Sequence, residues 1–168
     1  MKNVIYHKHI NCIGGIETFL YYLVKKYKDR DITIYYETGS KDQIDRLQQY
    51  VRVRKYKGER IKCDRAFFNY RLDIIDNIEA KEYIQIAHGK YGELNLPFNT
   101  HPKITKYLGV SKEVCKDFKE GTGLDIELAY NLVEIDKPKK VLNLISATRL
   151  TIEKGKNRMI KLAKLLVW

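Results

Sequence analysis

Gly14 and Gly15 stand between a short β-type run, Asn3–Tyr6, and an apolar stripe with helical spacing made by Ile16, Phe19, Leu20, Leu23, Val24 and Tyr27. Glycines at such a junction let backbone N–H groups approach an anion at the positive end of a helix. The dinucleotide pattern G-x-G-x-x-G and the Walker lysine pattern are both absent, so a plain tight turn explains the pair equally well. His88 closes the apolar run 83–87 and opens a glycine-containing loop, His88-Gly89-Lys90-Tyr91-Gly92. A histidine at the carboxyl end of a strand is placed to touch a ligand. Arg149 and Lys154 follow the apolar run 141–145, and Gly155 precedes the last amphipathic stretch. A guanidinium and an ammonium on one loop can clamp a diphosphate. His7 and His9 lie two residues apart and share a face if the first strand continues through them. A metal site would still need a third ligand, such as His88 or His101, and no spacing asks for one, so no metal is expected.

The elements that must position these residues alternate in type. Strands are expected at 3–6, 32–36, 51–54, 65–70, 83–87, 104–110, 126–130 and 141–145. Helices are expected at 16–27, 42–49, 111–120 and 156–167, the third capped by Ser111 and ended by Gly121 and Gly123. Short strands alternating with helices point to an α/β fold, a Rossmann-like parallel sheet flanked by helices. Ligands of such sheets bind beyond the carboxyl ends of the strands, which singles out residues 7–15, 88–92, Ser111, Asn131 and 149–155.

Composition narrows the classes. The chain has 168 residues, 44% hydrophobic and 32% charged, which suits a folded globular domain and not a disordered one. No stretch approaches the ~18 apolar residues of a membrane span, and residues 1–12 lack the apolar core of a secretory signal. Cys12, Cys63 and Cys115 are scattered and odd in number, with no C-x-x-C pair, and read as buried or half-buried free thiols of a cytoplasmic protein. The net charge is +11, and residues 137–168 carry nine basic residues against the single acid Glu153. Such a patch points to an anionic partner: phosphate, nucleic acid or an acidic membrane surface. Residues 105–118 also carry the turn and second helix of a helix-turn-helix, which would make a DNA-binding regulator. Pro102 and the β-type stretch before it leave no first helix, so no nucleic-acid partner is expected. A stand-alone Rossmann-like binding module without catalysis is a third reading.

Taken in order, several segments resemble glycosyltransferase family 4, a retaining family of the GT-B fold. They are Gly14-Gly15-Ile16-Glu17, IQIAHGKY at 84–91, YLGVSKEV at 107–114, Tyr130-Asn131-Leu132-Val133, and LISATRLTIEKG at 144–155. Each is weak alone, but five in the right order over nearly the whole chain are fairly specific. The resemblance implies that Gly14, Gly15, Arg149 and Lys154 hold the diphosphate of a nucleotide-sugar donor. It implies a catalytic place for His88 near the donor sugar, with His9, Glu17 and Tyr91 on the acceptor side. It also implies a glycan or lipid-linked acceptor, cell-surface polysaccharide synthesis, and cations in place of a metal cofactor. The location implied is cytoplasmic, with possible peripheral contact at the anionic inner face of the membrane. On this reading residues 1–137 form the acceptor-side domain, and 138–168 the linker and first strand, loop and helix of the donor domain. The nucleotide-base pocket and the paired glutamates of that second domain are missing, and Leu132 stands where the family often has glycine. The expectation is therefore a truncated first half of a GT-B enzyme, inactive alone and able to self-associate through exposed apolar surface.

Overall fold

The computed structural model describes residues 1–132, together with Asn157, Ile160, Lys161 and Lys164. The chain divides into two compact units, Met1–Glu134 and Ile135–Trp168. Of the second unit, the four described residues are helical and exposed and lie within the stretch expected as a helix. The 137/138 boundary, the strand expected at 141–145, Arg149, Lys154 and Val133 lie outside the described residues.

The first unit is an α/β fold. In chain order it runs β1 (Asn3–Tyr6), β2 (His9–Ile10), α1 (Gly15–Lys26), β3 (Ile32–Tyr36), β4 (Thr38–Gly39), α2 (Lys41–Gln48), β5 (Arg52–Lys55), β6 (Ile61–Lys62), β7 (Arg65–Asn69), β8 (Ile78–Glu79), β9 (Glu82–Ala87), β10 (Lys106–Gly109), α3 (Lys112–Thr122) and β11 (Glu127–Leu128). A short 3-10 turn, Ile75–Asn77, precedes β8. Seven strands form one parallel sheet in the order β11-β10-β9-β7-β1-β3-β5. This is the Rossmann-like arrangement expected from the alternation of runs.

Both faces of the sheet are covered, so its central strands read as nearly continuous apolar runs. Side chains alternate across the two faces. Ile5, Ile32, Ile34, Val53 and Ile86 pack against Phe19, Leu20 and Val24 of α1 and Leu47 of α2. Val4, Tyr6, Tyr35, Ala66 and Phe68 face the other way, onto Ile61, Ile74, Ile75 and Ile78. Val114 and Phe118 of α3 close over Ala87 and Tyr91. The chain first adds β3 and β5 on one side of β1, then returns to the other side with β7, β9, β10 and β11. The strand order thus reverses between β1 and β7, where the carboxyl edge of a parallel sheet opens for ligands.

Several expectations are corrected in detail. The strand expected to reach Tyr70 ends at Asn69, and Tyr70 turns away with φ of 63°. The pairs β2–β4 and β6–β8 were not foreseen, because two residues show no periodicity. Cys12 is exposed, not buried, because it lies on the loop ahead of α1; Cys63 and Cys115 are half-buried. The strand β10 stands directly before α3 in the main sheet, so no helix-turn-helix forms there. Ser111 caps α3 as expected: the Val114 N–H donates to its Oγ at 3.2 Å.

Helix α3 does not stop at Gly121. It runs through to Thr122 and ends at Gly123, whose φ of 72° is the left-handed cap geometry. Gly121 has a different job. A Cβ there would lie 2.2 Å from Cε2 of Phe98, whose ring packs edge-on against Phe118 and Tyr91. Alanine in a helix is favoured over glycine by about 1 kcal/mol, but forcing a methyl into this contact costs about 1–3 kcal/mol. Gly121→Ala is therefore expected to lower the melting temperature by about 3 °C. A raised melting temperature would show that the Phe98 contact is not tight.

Candidate functional site

The switch in strand order places three polar side chains on neighbouring strands β1, β7 and β9. His7 follows β1, Asn69 ends β7, and His88 follows β9. The alternation of faces puts all three on the side covered by α1, where Ile5, Phe67 and Ile86 also lie. The first two turns of α1 cover them. His88 Nε2 lies 2.8 Å from Asn69 Oδ1, and the ring of Phe19 meets the imidazole at 5.1 Å between centroids. His7 Nε2 lies 3.2 Å from Glu17 Oε1. The other Glu17 oxygen accepts the Gly14 N–H at 3.1 Å.

Glu17 thus links the glycine turn to the end of β1. Its carboxylate already takes the Gly14 amide at the helix N-terminus. Gly15 is exposed, and a Cβ there would meet nothing within 4 Å. Space for an anion at this helix end therefore lies over Gly15.

The His88 loop is held from behind. The His88 N–H donates to the Tyr91 hydroxyl at 3.1 Å. Tyr91 is buried, with Tyr70 at 4.8 Å and Phe98 at 6.1 Å between ring centroids. Gln85, three residues before His88 and on the opposite face, donates through Nε2 to the Tyr70 carbonyl at 3.2 Å and fixes the turn after β7. Beside the site, the Tyr6 hydroxyl donates to Glu37 at 2.5 Å. Lys8 reaches Asp73 at 2.9 Å and Glu37 at 3.6 Å, tying together the loops after β1, β3 and β7.

The structure therefore gathers His88, Glu17, Gly14 and Gly15 at one edge, with Tyr91 as a buried support. His9 is turned to a different partner. The main strand stops at Tyr6, so His7 and His9 do not share a continuous strand. His9 lies on β2 with Nδ1 2.8 Å from Thr38 Oγ1, and it is exposed. Sequence reasoning missed Asn69, whose place within the expected strand 65–70 looked like strand interior. It named His7 as one of residues 7–15 beyond the first strand and as a possible metal ligand, without seeing its link to Glu17. Among the described residues, no three His, Cys, Asp or Glu side chains gather as a metal site would require, and no helix is long and apolar enough to cross a membrane.

Electrostatics at this edge favour neutral imidazoles. Burial, aided by the charge of neighbouring His7, lowers His88 from 6.5 to about 4. Burial also lowers His7, although the hydrogen bond its Nε2 makes to the Glu17 carboxylate works against it. What the edge offers a ligand is two neutral imidazoles and an amide, with the Glu17 carboxylate and a helix N-terminus beside them. The unfolded chain takes up the His88 proton more readily than the folded one. The stabilisation is complete above about pH 6.5 and is lost as pH falls toward 4, about 3 kcal/mol in all. Denaturant unfolding followed from pH 7 to pH 4.5 is expected to fall less steeply in His88→Gln than in the parent protein. Equal slopes would mean that His88 is freely solvated.

Comparison with models of known families, with curated proteins and with solved structures finds no match for this chain.

Proposed function

We propose that this chain is the acceptor-side part of a retaining glycosyltransferase. It would move a sugar from a nucleotide-diphosphate sugar to a glycan or lipid-linked acceptor in cell-surface polysaccharide synthesis. One observation carries the reading: the residues singled out by the family-4 resemblance on two segments far apart in the chain, Gly14-Gly15-Ile16-Glu17 and His88, meet at the edge where the strand order reverses. Open parallel sheets bind their ligands at that edge.

In the transfer, the anomeric carbon exchanges its bond to the diphosphate oxygen for a bond to the acceptor hydroxyl oxygen. The bonding pair leaves with the diphosphate, which also takes the hydroxyl proton. Charge builds on the departing diphosphate, so fixed cations and backbone N–H groups aimed at it speed the step. Gly15 at the start of α1 is the backbone part of that set, and Arg149 and Lys154 are the cationic part by resemblance. No metal is needed where those cations serve. His88, uncharged at neutral pH, suits a place against the sugar better than one against the phosphates. Scattered free cysteines suit a cytoplasmic place, and the net charge of +11 would draw the enzyme to an anionic inner membrane face, where a lipid-linked acceptor would lie.

The test uses protein expressed from the complete reading frame, a panel of labelled nucleotide-diphosphate sugars, and release of nucleoside diphosphate as the readout. Arg149→Ala with Lys154→Ala is expected to weaken donor binding and lower turnover by about 10²-fold or more. His88→Ala is expected to lower kcat/KM by a comparable factor. Unchanged donor affinity and turnover in the double variant would remove the phosphate role. Release of no nucleoside diphosphate from any donor would remove the transferase reading and favour a binding module.

A further inference from the structure

We propose that Asn69 is a positioning residue of this site: its Oδ1 accepts the Nε2–H of His88, fixes that tautomer, and leaves Nδ1 as the acceptor for a hydroxyl of the ligand. The proposal rests on reading the carboxyl edge as the sugar-binding site.

The geometry leaves the imidazole one open atom. An amide oxygen only accepts hydrogen bonds, so at 2.8 Å the His88 Nε2 must be the donor. A neutral imidazole carries one N–H, and Nδ1 is then a bare acceptor. The ring face meets Phe19 and the backbone N–H is tied to Tyr91, so the ring has little freedom to turn. No described residue bonds Nδ1. A lone pair in that position attracts an O–H donor and repels a phosphate oxygen. The part of the ligand opposite His88 is therefore hydroxylated, and the diphosphate belongs on the Gly15 side.

The cost at Asn69 supports a role beyond packing. Its side chain is 1% exposed, and its Nδ2 is buried with no partner among the described residues. An unpaired buried donor costs about 1–3 kcal/mol, and an apolar residue of similar size would avoid it. Among the described residues, the one hydrogen bond that this amide side chain makes is the bond to His88.

The test is long-range ¹H–¹⁵N NMR of the histidine rings at pH 7. The parent protein is expected to show His88 as a single Nε2–H tautomer. Asn69→Ala is expected to mix the two tautomers, while Asn69→Asp, which keeps the acceptor, retains Nε2–H. An Nδ1–H tautomer in the parent protein would mean that the amide is reversed and would overturn the proposal. So would a His88 spectrum unaltered in Asn69→Ala. If that variant fails to fold, the parent spectrum and Asn69→Asp still decide. Ligand chemistry is probed with uridine diphosphate glucose, uridine diphosphate galactose and guanosine diphosphate mannose against inorganic pyrophosphate. At least one sugar nucleotide is expected to move the Nδ1 resonance, and pyrophosphate is not. No movement with any of them, or an equal movement with pyrophosphate, would overturn the hydroxyl assignment. Absence of sugar transfer by the full protein would defeat the function reading while leaving the tautomer result to stand by itself.

Discussion

The reversal of strand order between β1 and β7 is the constraint on which the rest of the structure depends. A parallel sheet that grows in one direction covers its own carboxyl edge with successive loops. Here the chain turns back across β1, so β1 leads on to β3 on one side and β7 to β9 on the other, with Lys8 and Asp73 bridging the loops that follow β1 and β7. His7, Asn69 and His88 are brought to one face by that reversal, although they are far apart in the chain. The register aligns Tyr6 with Phe68 and Asn69 with Ile86, which puts the ends of β1, β7 and β9 close to level. Alternation then decides which side chains share the face under α1.

The polar groups at this edge are costly to bury, and the fold meets the cost by pairing them. Glu17 serves His7 and the Gly14 amide together, and Asn69 serves His88. Both imidazoles are driven toward their neutral forms by burial. The edge thus sets neutral hydrogen-bonding imidazoles beside the helix end at Gly15, while the nearby Lys8 charge is held by Asp73 and Glu37. This division suits a ligand that is hydroxylated at one end and anionic at the other, as a nucleotide-diphosphate sugar is. The same division would have no use in a purely anionic site, where protonated imidazoles would bind better.

Much of this was legible in the sequence, for physical reasons. Strands buried on both faces are apolar throughout, so Asn3–Tyr6, Ile32–Tyr36 and Glu82–Ala87 stand out from their polar flanks. The helical stripe of α1 and the Ser111 cap are local signals. His88 could be named because it closes an unmistakable strand. Asn69 could not, because its role depends on β7 and β9 being neighbours, and the hydrogen bond spans 19 residues. Gly121 looked like a helix end because glycine usually is one, whereas its place is set by the Phe98 ring packed against it. His9 looked like a companion of His7 until the strand ended at Tyr6 and β2 turned it to Thr38.

Sugar-nucleotide binding at the carboxyl edge between β1 and β9, as proposed, is read by backbone amide NMR of the labelled 168-residue chain titrated with nucleotide-diphosphate sugars. The largest chemical-shift changes are expected to fall together on Gly15, Asn69, Tyr70 and His88. Changes confined to the opposite edge of the sheet, or none at any residue, would contradict it.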